Sequence, residues 1–288
     1  MRIMAESRVL TASSAIERAA GMVKRLLISI VGIPILITIS WLGGQFLVAM
    51  LAVLAGLLLW EFLKLGNLLD INPLKSVVWL LAAGWYVLLF LGFQRYLVPY
   101  LLLAFLVLVC VYTVVYPKYS WKDAAWSLLA LIYPVALVSC FYPIRMAVSD
   151  VSEGFLWALY CLFIVWGTDT GAFLIGSLIG HHKIAPLMSP HKSYEGAVGG
   201  LVVSLAVGAG FWYFCGLAPL WAMLILSFVA SFFAQLGDMF ESTLKRTAGI
   251  KDSSAMLPGH GGFMDRFDSF MFAVPVVFIG LHYWIKYL

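Results

Sequence analysis

Charge is scarce in this sequence. Only 11% of its 288 residues are charged, against roughly a quarter in a soluble domain, and mean hydropathy is +1.00. So few charges cannot cover a water-facing surface, which argues against a soluble globular protein. Cysteine is sparse as well. Cys110, Cys140, Cys161 and Cys215 each sit within an apolar run and form no CxxC pair, so neither a disulfide framework nor a zinc site is expected. The sequence also lacks GxxxxGK[ST], GxGxxG after a strand, and HExxH. An ATPase, a dinucleotide oxidoreductase and a zinc protease therefore lack their usual signatures. No internal repeat or low-complexity tract is present.

What the sequence does contain is long apolar runs. A transmembrane helix needs about 20 such residues. Nine candidate spans can be read: Leu26 to Leu42, Gln45 to Leu65, Ser76 to Phe93, Leu97 to Tyr116, Ala124 to Ile144, Gly154 to Ile179, Ala197 to Cys215, Leu220 to Leu236 and Phe270 to Lys286. The fold class this predicts is all-α, a polytopic integral membrane protein of about nine transmembrane helices. With the N-terminus in the cytoplasm, 15 of the 18 basic residues fall on the inside, and only Arg95, Arg145 and Lys286 lie outside. That asymmetry follows the positive-inside rule and places the C-terminus on the opposite side. It also accounts for the net charge of +4 without a nucleic-acid partner.

Three regions follow. Residues 1–25 read as a cytoplasmic leader, since Arg2, Glu6, Arg8, Glu17 and Arg18 leave no compact apolar core of a cleavable signal. Ser13 to Arg25 within it can form an interfacial amphipathic helix. Residues 26–150 read as a transmembrane scaffold, and residues 151–288 as the catalytic region, because seven of the 14 acids lie between Val165 and Phe270, with all but one histidine. Polar residues gathered at span ends point to one site at membrane depth that faces the cytoplasm.

Asp169 is the only charge between Gly154 and Gly180. An unpartnered charge at mid-bilayer costs about 3 kcal/mol on insertion scales, so Asp169 calls for a partner or a cation. The glycines Gly167, Gly171, Gly176 and Gly180 would let another backbone approach. In the following loop, adjacent His181 and His182 do not repeat at i+4, which argues against zinc. Lys183 and Lys192 there are candidate anion or lipid-headgroup contacts. Continuing the eighth helix past Gly237 puts Asp238, Glu241 and Lys245 on one face. Gly259, Gly261 and Gly262 flank His260 in a loop able to turn N–H groups onto an anion. Asp265 and Asp268, at i and i+3, can converge with Asp238 as hard oxygen ligands suited to Mg²⁺. Metal, basic residues and a glycine loop together indicate phosphoryl or nucleotidyl chemistry.

The run Ser242-x-Leu244-Lys245-Arg246-x4-Lys251-Asp252-x-Ser254-x2-Leu257-Pro258-x-His260-Gly261-Gly262-Phe263-x-Asp265-Arg266-Phe267-Asp268 resembles the signature of the phosphatidate cytidylyltransferases, or CDP-diacylglycerol synthases. The similarity extends to Gln235 through Asp238, Asp169 through Ala172, and Ser189-Pro190-x-Lys192-Ser193-x-Glu195-Gly196. It implies a membrane enzyme that condenses CTP and phosphatidate to CDP-diacylglycerol and pyrophosphate with Mg²⁺, with room for a second cation, at the cytoplasmic face of a bacterial inner membrane. A homodimer is also implied. Carried over residue by residue, Asp238 and Asp265 are expected as principal metal ligands, with Asp169 and Asp268 as additional acids. Lys245, Arg246 and Arg266 are expected at the reacting phosphates. Lys192, Ser193, Ser242, Lys251, His260, Gly261 and Gly262 are expected to hold substrate.

Ser177, His181 and His191 depart from the family's pattern, which bears on CTP affinity and pH response. A lipid tail is read by apolar shape, so an ether or isoprenoid lipid phosphate is the nearest alternative substrate. A cation-coupled transporter is the alternative class, but the first half has no counterpart of the Asp169 and Asp238 segments.

Overall fold

The computed structural model describes residues 30–148, 150–186, 188–254, 256 and 261–283. The leader, the amphipathic helix expected within it, His260 and Lys286 lie outside the described residues. The helices are α1 (Ile30–Leu42), α2 (Gly44–Leu68), α3 (Lys75–Phe90), α4 (Gln94–Val114), α5 (Trp121–Arg145), α6 (Val151–Ile179), α7 (Tyr194–Cys215), α8 (Leu220–Thr247) and α9 (Met264–Tyr283). Among the described residues six of them, α2 and α4 to α8, are long and apolar enough to cross a membrane, while α1 and α3 are apolar but shorter. The chain is an integral membrane protein built almost wholly of helices.

One element departs from the all-α expectation. Between α6 and α7 the chain forms an antiparallel hairpin of β1 (Lys183–Ala185) and β2 (Ser189–Ser193), with Lys183 opposite Ser193. The segment is too short and too interrupted by Pro186 and Pro190 to make a helix, so its backbone groups pair across a turn instead.

Helix ends explain how the chain turns. Ser120 caps α5 in a reciprocal box with Asp123, and Asp123 Oδ1 also accepts the Asn72 N–H at 2.6 Å. Ser127 Oγ accepts the Leu74 N–H at 2.9 Å, so the start of α5 organises the α2–α3 connection. Pro134 has no N–H to donate, and α5 passes it through a π turn at Ile132–Ala136. Asp150 caps α6 by accepting from Ser152 and Glu153 N–H groups. Ser193 ends the hairpin and caps α7 by accepting the Gly196 N–H.

In the second half α6 packs on α7 and α8 on α9 over the most extensive contacts in the molecule. The α6–α7 contact is glycine-built: a Cβ at Gly171 would lie 2.8 Å from the Gly199 carbonyl oxygen, and one at Gly199 would lie 2.5 Å from Ile175. Small residues let two backbones meet where lipid offers no competing hydrophobic drive. Hydroxyls join the same helices to α8, with Thr168 Oγ1 donating to Ser231 Oγ at 2.9 Å and Ser204 Oγ to the Ser227 carbonyl at 2.8 Å.

In the first half Arg145 is only 3% exposed. Its Nε donates to the Ser40 carbonyl at 2.7 Å and a terminal nitrogen donates to the Trp41 carbonyl at 2.9 Å. These are carbonyls in the last turn of α1, which have no N–H donor within the helix. The planar guanidinium thus clasps α1 to the end of α5. Arg145→Met is expected to cost about 1.5–3 kcal/mol, the range for hydrogen bonds to charged groups. The loss should appear as a lower Tm of the detergent-purified protein, and Arg145→Lys should recover only part of it because an ammonium lacks the fork geometry.

Candidate active site

Helix α8 runs unbroken to Thr247, so Asp238, Glu241 and Lys245 do share a face. That face is not a solvated extension: Glu241 is fully buried, and the Lys245 ammonium lies between Glu241 Oε2 at 2.6 Å and Asp265 Oδ1 at 2.5 Å. Asp265 reaches this position from the first turn of α9. Its other oxygen, Oδ2, accepts from the Ser253 N–H at 3.0 Å, the Ser253 hydroxyl at 2.9 Å and the Gly262 N–H at 2.7 Å. Burial works against the charge of Asp265, but Lys245 and the Gly262 and Ser253 N–H groups prevail and hold its carboxyl below its ordinary value.

A second group lies beside the first. Lys192 Nζ, carried on β2, sits 2.8 Å from Asp238 Oδ1. Asp238 is the more open of the two at 38% side-chain exposure. Asp169 faces an open surface of α6 and accepts the Ser269 hydroxyl at 3.0 Å. Asp268 is buried and accepts the Ser269 N–H at 2.7 Å. Asp169, Asp238 and Asp268 are near enough to repel one another, and Lys192 and Arg266 act on Asp169 with the opposite sign.

The remaining expected residues are placed differently from one another. Ser193 is buried as the α7 cap, Ser242 is half-buried on α8, and Lys251 and Arg266 are exposed. Arg246 serves the backbone: Nε donates to the Met188 carbonyl and a terminal nitrogen to the Ile250 carbonyl, each at 3.1 Å. Gly261 adopts a φ of +78°, the left-handed region that favours glycine. The departing His181 bonds the Ile179 carbonyl, and His191 is exposed. His182, next to it, pairs with Glu195 at 2.5 Å.

Two residues from the first half, read as scaffold, join the site. Glu61 of α2 is fully buried and lies within hydrogen-bond distance of four donors in Ser253, Ser254 and the start of α9. Tyr133 of α5 is buried within electrostatic reach of Asp268, Glu241 and Asp238. Glu61 carried a signal, being the only acid inside the first five apolar runs. Tyr133 carried none, because one tyrosine among many in an apolar span has no distinguishing pattern.

Among the described residues no three His, Cys, Asp or Glu side chains converge on a single metal position. The acids still suit Mg²⁺, which takes one or two carboxylates and completes its shell with water and substrate phosphate. Asp238 and Asp169 are the ones with oxygens facing outward, whereas both Asp265 oxygens already accept from the protein.

Acids interleaved with lysines at the end of an apolar bundle, beside a glycine-containing loop, define a membrane enzyme of phosphate chemistry. The sequence comparisons give its family. The chain belongs to the cytidylyltransferase family, whose model matches residues 23–284. It is 38% identical over 264 residues to a phosphatidate cytidylyltransferase of Staphylococcus aureus (strain COL), covering 88% of this chain and 96% of that protein. A phosphatidate cytidylyltransferase of Staphylococcus haemolyticus is 43% identical over 161 residues, 56% of this chain and 60% of that protein. The chain is thus a nucleotidyltransferase.

The loop geometry yields a prediction. A Cβ at Gly262 would lie 1.9 Å from Ser253 Oγ and 2.6 Å from Glu61 Oε1, so Gly262→Ala must displace the loop. It is expected to lower Tm and to raise protease cleavage within residues 251–264. Gly210→Ala, whose methyl meets no atom within 4 Å, should change neither.

Proposed function

We propose that this protein is a phosphatidate cytidylyltransferase, making CDP-diacylglycerol and pyrophosphate from CTP and phosphatidate in phospholipid biosynthesis. The observation that carries the reading is the joining of Lys192, Asp238, Lys245 and Asp265, from three separate segments, at one end of the bundle. Family membership supports it. The reading includes nine spans, a cytoplasmic N-terminus, a C-terminus on the opposite side, a site facing the cytoplasm of a bacterial inner membrane, and a homodimer.

A phosphatidate oxygen attacks the α-phosphorus of CTP; the bond from that phosphorus to its bridging oxygen breaks, and pyrophosphate leaves. The lipid phosphate is already anionic near neutral pH, so no protein nucleophile or strong base is needed. The difficulty is bringing two polyanions together. Lys192 and Lys245, with Arg266 and Lys251, would supply positive charge at the phosphates, while Ser242 and the Gly261–Gly262 backbone would contribute donors. Both lysines lie beside carboxylates, so phosphate binding would exchange one anion for another. Asp238, with Asp169 and Asp268, would hold Mg²⁺, and Asp265 would join them as phosphate draws Lys245 away. Bound there, the metal supplies charge neutralisation at the reacting phosphates.

The test is CTP-dependent formation of CDP-diacylglycerol by purified protein with Mg²⁺ and phosphatidate, set against an ether-lipid phosphate. Product from phosphatidate should vanish on chelation. Asp238→Asn and Asp265→Asn should each lower turnover at least about 100-fold, the scale of losing one transition-state contact. Product from the ether lipid alone would change the substrate. No transfer to either lipid by folded, metal-supplied protein would overturn the reading.

A further inference from the structure

Glu61 stands apart from every residue assigned above. It lies in α2, about 190 positions before the loop it touches, and its side chain is wholly enclosed. Oε1 accepts the Ser254 hydroxyl at 2.5 Å and the Phe263 N–H at 2.9 Å. Oε2 accepts the Ser253 hydroxyl at 3.0 Å and the Met264 N–H at 2.7 Å. Two of the four donors are therefore backbone groups at the start of α9, where helix N–H groups have no partner within the helix and the dipole favours an anion. A helix N-terminus facing a phosphate enzyme's site invites a substrate phosphate. Here an internal carboxylate already occupies it.

The same contacts lead to the reacting groups. Ser253 Oγ lies within hydrogen-bond distance of both Glu61 Oε2 and Asp265 Oδ2, and its single proton can serve only one of them at a time. Ser253 N–H and Gly262 N–H fix Asp265 Oδ2, and Asp265 Oδ1 holds Lys245. Glu61 thus sets the loop from one side, and the loop sets Asp265 and Lys245 on the other. A buried carboxylate with four donors is a stiff anchor, since each donor left unmatched costs its desolvation.

We infer that Glu61 is a positioning residue for the nucleotidyl transfer proposed above, fixing Asp265 and Lys245 through Ser253, Ser254 and the Gly262–Met264 backbone. The inference rests on that reading of the activity. Glu61→Gln keeps shape but turns amide protons toward N–H and O–H donors, so the loop must shift. A displacement near 1 Å at a reacting centre can cost about 100-fold in rate.

The experiment measures kcat, the KM values for CTP and phosphatidate, and Tm for full-length wild type, Glu61→Gln, Glu61→Asp and Asp123→Asn. Asp123→Asn disturbs another buried capping carboxylate in the first half, whose donors are Asn72 and Ser120 and not the loop, and controls for lost stability. Glu61→Gln, assayed below its Tm, should lose about 100-fold in kcat with KM values changed less than about threefold. Glu61→Asp should recover part of that loss, and Asp123→Asn should keep wild-type kcat whatever its Tm. Wild-type kcat in Glu61→Gln, or a loss that merely follows its folded fraction, overturns the inference and leaves the activity intact. Should Glu61→Gln fail to accumulate, Ser254→Ala decides: a loss of about 3–10-fold at unchanged Tm supports the inference, roughly the worth of one hydrogen bond, and wild-type kcat overturns it. Wild-type protein that makes no product overturns the activity reading, and the inference falls with it.

Discussion

A carboxylate withdrawn from water must be met by donors or cations, and one end of this bundle is arranged around that requirement. Glu61, Glu241 and Asp268 are buried, and Asp265 nearly so. Each could be accommodated separately by a nearby cation, but the protein interlocks them. Lys245 is shared by Glu241 and Asp265, Asp265 shares Ser253 with Glu61, and Ser269 joins Asp268 to Asp169. The rest of the architecture serves to bring the parts of this network together. The glycine seam between α6 and α7 fixes the helix that carries Asp169, the serine cap on α7 ends the hairpin that carries Lys192, and α8 extends far enough to deliver three charged residues on one face.

Two of the lysines proposed to meet phosphate each lie beside carboxylates. Lys192 faces Asp238, and Lys245 faces two carboxylates. Bare lysines at membrane depth would be costly to hold and open to any anion. Compensated lysines instead favour a ligand that brings enough charge to displace a carboxylate, as a polyphosphate does, particularly when a divalent cation takes up the displaced acid. Selectivity against simple anions can therefore arise from competition within the site.

Much of this was legible in the sequence, and for definite reasons. The apolar runs located the helices because a bilayer demands about 20 such residues in succession. The i, i+3, i+7 spacing correctly placed Asp238, Glu241 and Lys245 on one face. The arrival of Asp265 beside Lys245 was not legible, since it depends on the path of a loop whose backbone donors pair with carboxylates from two other elements. Of the glycine loop expected to receive substrate phosphate, the Gly262 N–H donates to Asp265. Glu61 was open to the same depth-cost reasoning as Asp169, but lacking polar neighbours in sequence it read as part of a scaffold. The β1–β2 hairpin was hidden because strands of three and five residues carry too little pattern to register, and nothing in the sequence shows that Arg246 would donate to the Met188 carbonyl.

That carbonyl lies at the turn of the hairpin, and the contact bears on how the site can exchange its contents. The strand carrying Lys192 is tethered at its beginning, where Arg246 holds the Met188 carbonyl, and at its end, where Ser193 becomes the cap of α7. Only a few residues separate the two anchors. The backbone under Lys192 is thus a short strap with little slack, while the ammonium rides on four rotatable bonds. Moving it from Asp238 to an incoming phosphate would call for rotation of that side chain on a backbone held at both ends.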